Sequence, residues 1–137
     1  MSSFKIFDIA GSGMNAQNLR MNVVASNLAN VDAVSSSMED TYRARQPVFK
    51  AVLDQANMRS PAVGVQMAGV VESQAPLVRE YAPQHAKADE DGYIYRPNVS
   101  VVEEMANMIS ASRAYQNNVE VVNATRQMLS ATINLGR

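Results

Sequence analysis

The sequence has no cysteine, no tryptophan, a single histidine and few charges. Without cysteine there is no disulfide framework and no thiolate nucleophile or zinc-thiolate site. His85 has no second histidine with which to build an ordinary zinc set. Charged residues make up 18% of the chain, against about 25% in an average domain. The net charge of −1 leaves no basic field for nucleic acid and no polybasic patch for anionic lipid. No stretch approaches about 18 unbroken apolar residues, so direct membrane insertion is not expected. In the opening "MSSFKIFDIAGSG", Lys5 and Asp8 interrupt any apolar run long enough for a secretory signal. Any exit from the cytoplasm would therefore follow an uncleaved route.

What replaces the charge is asparagine, glutamine and serine, on a background that is 47% hydrophobic. The length of 137 residues suits one domain of ordinary size. Both ends carry the same rhythm. Phe7, Ala10, Met14, Gln17, Met21, Val24, Leu28 and Val31 recur in steps of three and four, with only Gln17 polar. This heptad stripe predicts a helix over about residues 4–30. At the other end run Val101, Met105, Met108, Ser112, Tyr115, Val119, Val122, Arg126, Leu129 and Ile133. Pro97 precedes that helix, Ser100 and Glu103 have capping-box spacing, and Gly136 sits where a helix closes. The result is a helix of about 35 residues, roughly 50 Å long. Two helices of such length cannot easily wrap a compact core, but they can pair with each other.

Residues 31–98 read as loops and short strands. Val63, Val65, Met67 and Val71 keep a period of two, which predicts a strand or hairpin. Asp91-Gly92 marks a turn beside strand-like "YIY". The expected fold is therefore mainly α with a small β-rich insert. Its terminal helices pair as an antiparallel coiled coil, with an assembly helix in 1–32, a β-rich middle in 33–97 and a second assembly helix in 98–137.

Three constellations imitate chemistry. Gly11, Gly13 and Ala16 match G-x-G-x-x-A, with Asp32 downstream, as in a dinucleotide site. The heptad runs straight through the glycines and no βαβ unit follows, so small residues for a close helix approach explain them better. Lys87, Asp89, Asp91 and Gly92 resemble part of a calcium loop, but a lysine and Asn98 stand where carboxylates are needed. Glu103 and Glu104 complement a helix dipole rather than form a catalytic pair. No enzyme activity, catalytic residue, cofactor or metal is expected.

Each helix also carries apolar residues off its main stripe: Ile6, Ile9 and Val23 on the first, Val102, Ile109, Val121, Met128 and Leu135 on the second. A two-stranded coiled coil needs one seam, so further seams need further partners. Polar but uncharged flanks suit a crowded assembly in which a charge would be expensive to desolvate. A heterologous contact repeated without closing gives a helical tube. In "NVVASNLANVD", Asn22, Asn27 and Asn30 then read as uncharged outer faces enclosed by neighbours, with Asn27 and Asn30 also placed to stop the helix.

"NLRMNVVASNLANVDA" resembles the signature of the bacterial flagellar axial proteins, the family of rod and hook subunits. Residues 81–137 resemble its proximal rod members, through Asp89 with Gly92-Tyr93, Pro97-Asn98-Val99, and Ser112-Arg113-Ala114-Tyr115 with Asn118. The resemblance implies a structural subunit of the flagellar basal-body rod, in the periplasmic part of the envelope. Its implied partners are copies of itself, other rod proteins and the flagellar type III export apparatus. The expected assembly interface is Phe7, Ala10, Met14, Met21, Val24, Asn27, Leu28, Asn30, Val31, Met105, Met108, Arg113, Tyr115, Asn118, Val119, Val122, Leu129 and Ile133. The rival expectation is a soluble coiled-coil adaptor or export chaperone.

Overall fold

The computed structural model describes residues 3–53 and 63–136. Residues 54–62 of the expected middle domain lie outside the described residues. Six elements follow in order: α1 (Ser3–Ala29), β1 (Arg45–Leu53), β2 (Val63–Glu72), β3 (Val78–Tyr81), β4 (Tyr93–Arg96) and α2 (Val101–Leu135).

The two helices form because the three-four rhythm persists without a proline over 27 and 35 residues. Asn30 ends α1 by folding its Nδ2 back to the Ser26 carbonyl (2.8 Å), which also accepts from the Asn30 amide (3.2 Å). The Ser100 hydroxyl caps α2, accepting from the Glu103 amide at 3.5 Å, with Glu103 and Glu104 in the first turn. Gly136 closes α2 by donating to the Ile133 carbonyl (3.3 Å). Its φ of −90° uses none of glycine's left-handed freedom.

Three contacts give the helices their relative direction. Gly13 faces Asn118, Arg20 bonds Asn107, and Asn27 bonds Glu104. As one number rises the other falls, so the pair is antiparallel.

Between the helices lie two antiparallel hairpins, β1–β2 and β3–β4. The first packs along α1, where the Ser12 hydroxyl accepts from the Val65 amide (3.1 Å) and donates to the Ile9 carbonyl (2.8 Å). Its register shifts between Val48 and Phe49, so Ala68 has no partner across the ladder. This bulge interrupts the period of two expected through Val71. The second hairpin turns at Gly92, whose φ of +80° suits glycine. Asp89 holds that turn, accepting from the amides of Asp91 (3.0 Å) and Tyr93 (2.7 Å). Ser35 extends β4 through two backbone bonds with Tyr95. Arg96 then ties the hairpin to Asp32 just past α1 and pairs across it with Glu80 of β3, at 3.2 Å each. Pairs so exposed contribute at most about 1 kcal/mol apiece.

The interior is slight. Among the described residues the buried apolar side chains are Ala10, Ala16, Val24, Ala44, Ile94, Pro97 and Ala111, and the largest fully enclosed side chain is Asn27. A compact monomer of this mass exposes about 7,000 Å², whereas this chain exposes 9685 Å².

Candidate assembly interface

The helix seam is built from smaller residues than the apolar stripes suggest. On α1 the positions turned to α2 are Ala10, Gly13, Gln17, Arg20, Val24 and Asn27, of which Ala10, Val24 and Asn27 are buried. On α2, Ala111 and Thr125 lie deepest, with Asn118 against Gly13 and Glu104 against Asn27. Half of each expected stripe takes part: Ala10, Gln17 and Val24, and on α2 the half-buried Met108, Tyr115, Val122 and Leu129. The other half is rotated by one residue. Met14, Met21 and Leu28 stand on the shoulder of the seam, half-buried, while Gly13, Arg20 and Asn27 occupy it. On α2, Met105 and Val119 stand on the shoulder beside Glu104 and Asn118. A stripe read by apolar letters passes over glycine, arginine and asparagine, and so lands one position away.

The consequence is an apolar shoulder. In an antiparallel pair, equivalent shoulders of the two helices lie on the same side. Phe7, Met14, Met21 and Leu28 therefore share a face with Met105, Val119 and Ile133. Met105 and Ile133 are 54% and 66% exposed. The opposite shoulder of α2 carries Val121, Met128 and Leu135, all exposed. Shoulders of a helix pair that meet only water are usually charged. Here, Ser112 and the exposed Arg126 aside, they are hydrophobic, and methionine adapts to unlike neighbours. On α1 the corresponding shoulder is occupied within the chain. Leu19, Val23 and Ser26 face Met67 and Val70 of the β1–β2 hairpin across a shallow trough. The additional partner that Val23 calls for is this hairpin.

The ends of the pair differ. α2 outruns α1: if Gly13 faces Asn118, Ser3 falls level with about residue 128, so the last turns of α2 project freely. Leu135 is 87% exposed and, on α1, Phe4 is 78% exposed. At the other end, polar side chains close the structure. Asn27 donates Nδ2 protons to the Arg45 carbonyl (2.8 Å) and Glu104 Oε2 (3.0 Å). Its Oδ1 accepts from the Arg45 amide (2.9 Å) and the Tyr42 hydroxyl (2.8 Å). The side chain thus pairs with both backbone groups of the first β1 residue, as a neighbouring strand would. Asn98, just before α2, grips the preceding residue. Its Oδ1 accepts from the Ala44 amide (2.8 Å), and its Nδ2 donates to the Ala75 carbonyl (2.8 Å). Two asparagines, one from each helix end, clamp the dipeptide Ala44-Arg45.

This corrects the reading of Asn27 as an outer face covered by neighbours: it is wholly enclosed inside the subunit. Asn22 is exposed, and Asn30 is half-buried at the helix stop. Arg113 is exposed, and Phe7, Tyr115, Asn118 and Val31 are half-buried. Sequence reasoning missed Tyr42, Ala44, Arg45 and Glu104 as parts of the clamp. Asn98 was visible only as a motif letter.

The imitations of chemistry resolve locally. Gly11 and Gly13 lie inside α1, and a Cβ on Gly13 would stand 2.9 Å from Asn118 Nδ2. That is a helix approach rather than a phosphate cradle. Asp89 is spent on its own turn, and the exposed His85 accepts at Nδ1 from the Lys87 amide (3.1 Å). Among the described residues, no group of three or more His, Asp or Glu is placed to hold a metal ion, and no helix is long and apolar enough to cross a membrane.

Known proteins match both helical ends. Residues 7–35 match the family described as flagella basal body rod protein, and residues 90–135 match the C-terminal region of flagellar basal body rod FlgEFG proteins. The chain is 48% identical to flagellar basal-body rod protein FlgC of Salmonella typhimurium, with 100% of each chain covered. The FlgC of Yersinia enterocolitica is 44% identical over the same full coverage. That of Borreliella burgdorferi is 32% identical, with 97% of each chain covered.

Proposed function

The chain belongs to the flagellar basal-body rod protein family, and from that footing we propose that it builds the proximal rod as a helical tube transmitting torque across the periplasm. Its role is structural: a rod subunit of the flagellar basal body, assembling with other rod components. The working parts are surfaces, and we assign it no catalysis and no cofactor. The terminal segments, 1–32 and 98–137, supply an antiparallel coiled coil, and the middle, 33–97, braces it. Copies of this chain and other rod proteins cover the hydrophobic shoulders: Phe7, Met14, Met21 and Leu28 with Met105, Val119 and Ile133. Val31, in the turn just past α1, and Met108, Arg113, Tyr115, Asn118, Val122 and Leu129 along α2 complete the contact set. Delivery is through the flagellar type III export apparatus without signal cleavage, and without insertion into a membrane.

One observation carries this reading: the chain leaves large apolar side chains exposed along helices whose interior is mostly alanine, glycine and polar groups. Such a subunit is completed by neighbours. The test is the pair Ile133→Ser and Leu135→Ser in the projecting end of α2. Exposed substitutions change stability by no more than about 0.5 kcal/mol, so the monomer should melt as before. Motility should be lost, and the variant should be absent from purified basal bodies. Normal swimming with normal incorporation would overturn the proposal. A wild-type protein found only in the cytoplasm, never in basal bodies, would favour the adaptor reading.

A further inference from the structure

We propose that the Asn27 amide sets the register of the helix pair and makes that register conditional on seating of the segment 42–45. The inference does not depend on the rod assignment. Besides the Arg20–Asn107 hydrogen bond (3.0 Å) and the Gly13–Asn118 approach, the seam offers little else to fix a register. Its deepest members are Ala10, Val24, Ala111 and Thr125, and sliding one helix by seven residues sets similar small residues opposite one another. Apolar packing discriminates poorly between such alternatives. A buried polar residue at a seam position does discriminate, because only one register satisfies it.

Asn27 meets that requirement fully. An amide side chain has two N–H donors and two acceptor sites, and all four are engaged: with Glu104 Oε2, both backbone groups of Arg45 and the Tyr42 hydroxyl. The residue is 0% exposed, so water cannot replace a lost partner. A slip of α2 removes Glu104. Failure to seat Tyr42 and Arg45 removes the other three bonds. Leaving a buried polar group without its partner costs about 1–3 kcal/mol. The correct register and the docked middle segment therefore arrive together, and neither is stable alone. Ser26 Oγ lies 3.3 Å from the Tyr42 hydroxyl, which keeps that phenol aimed at Asn27.

The absence of cysteine makes the test clean. In the full chain, Gly13→Cys with Asn118→Cys reports the native register. Gly13→Cys with Ala111→Cys, or with Thr125→Cys, reports a slip of one heptad, about 10 Å along the helix and beyond disulfide reach. In the otherwise native chain only the first pair should oxidise. Adding Asn27→Leu should lower the ratio of native to slipped cross-link by about tenfold or more, equivalent to about 1.4 kcal/mol. An unchanged ratio, even at reduced stability, would overturn the proposal, because it would make Asn27 merely structural. A second comparison guards against simple misfolding. Asn27→Asp sets a carboxylate against the Glu104 carboxylate and the Arg45 carbonyl, and should slip. Adding Glu104→Gln returns a donor to that contact and should restore the native cross-link. A double variant no better than Asn27→Asp alone would also overturn the proposal.

Discussion

Where α1 ends and α2 begins, every strong polar group near the seam has a partner, and almost no large apolar residue is needed to hold it. About 40 Å away along the pair, Phe4, Met128, Ile133 and Leu135 stand in water, and little polar bonding crosses between the helices. The two ends solve different problems. Hydrogen bonds are directional, so the end built from Asn27, Asn98, Tyr42 and Glu104 can specify one internal arrangement. Apolar contact is non-directional and scales with area, so the other end can accept neighbours of more than one shape. On the proposed reading, specificity is kept inside the subunit and adhesion outside it.

The sharpest way to break this contrast is to injure each end in turn. Asn98→Ala removes the acceptor from the amide of buried Ala44 and a donor from the Ala75 carbonyl. We expect a loss of about 2 kcal/mol, visible as a lower midpoint in thermal or urea unfolding of the monomer. Met128→Ala, at the open end, should shift the same midpoint by no more than about 0.5 kcal/mol. Equal losses at the two ends would dissolve the distinction.

Much of this architecture is legible in the sequence. The helices were expected at about 4–30 and from 101 onward, and they run Ser3–Ala29 and Val101–Leu135, because a long three-four rhythm has no other reading. In the middle, Val63, Val65, Met67 and Val71 predict a strand or hairpin and Asp91-Gly92 a turn beside one strand, whereas the partner strands β1 and β3 carry no such signal. The seam was not legible to the residue, since pairing falls on Gly13, Arg20 and Asn27 rather than on Met14, Met21 and Leu28. Small and polar residues leave no hydrophobic signature. The clamp was hidden for another reason. Asn27, Ala44, Arg45, Asn98 and Glu104 are far apart in the chain, and an asparagine carries no local sign of whether its amide meets water, a neighbour or a backbone 18 residues away.

Midway between the ends, Gln17 interrupts the apolar stripe and gains nothing visible from doing so. Its Oε1 is buried without a hydrogen-bond partner. An orphaned polar atom of this kind costs about 1–3 kcal/mol, whereas an apolar group of similar shape avoids the penalty. Gln17→Met should therefore raise monomer stability by about 1 kcal/mol. A fall instead would mean that the oxygen has a partner in solution, and that polar specification reaches further along the seam than the clamp.

The smallest effect separates inner from outer surface within three residues. Glycine inside a helix costs about 1 kcal/mol relative to alanine. At Gly11 a Cβ would meet nothing within 4 Å, so Gly11→Ala should stabilise the monomer by about 0.5–1 kcal/mol. At Gly13 the new methyl would lie 2.9 Å from Asn118 Nδ2. That atom is the far end of a side chain, which can swing away, but only by giving up its seat in the seam. Gain and loss then nearly cancel, and Gly13→Ala should be close to neutral. Pairing it with Asn118→Ala should release the gain, because the obstructing amide is gone. Swimming adds the other half of the comparison. Gly13 faces α2 inside the subunit, so Gly13→Ala should leave motility unchanged. Gly11 faces outward, where a neighbouring helix would come closest. A Gly11→Ala subunit that melts higher yet swims less well would place a neighbour's backbone against that turn of α1, and undiminished motility would leave that turn facing water.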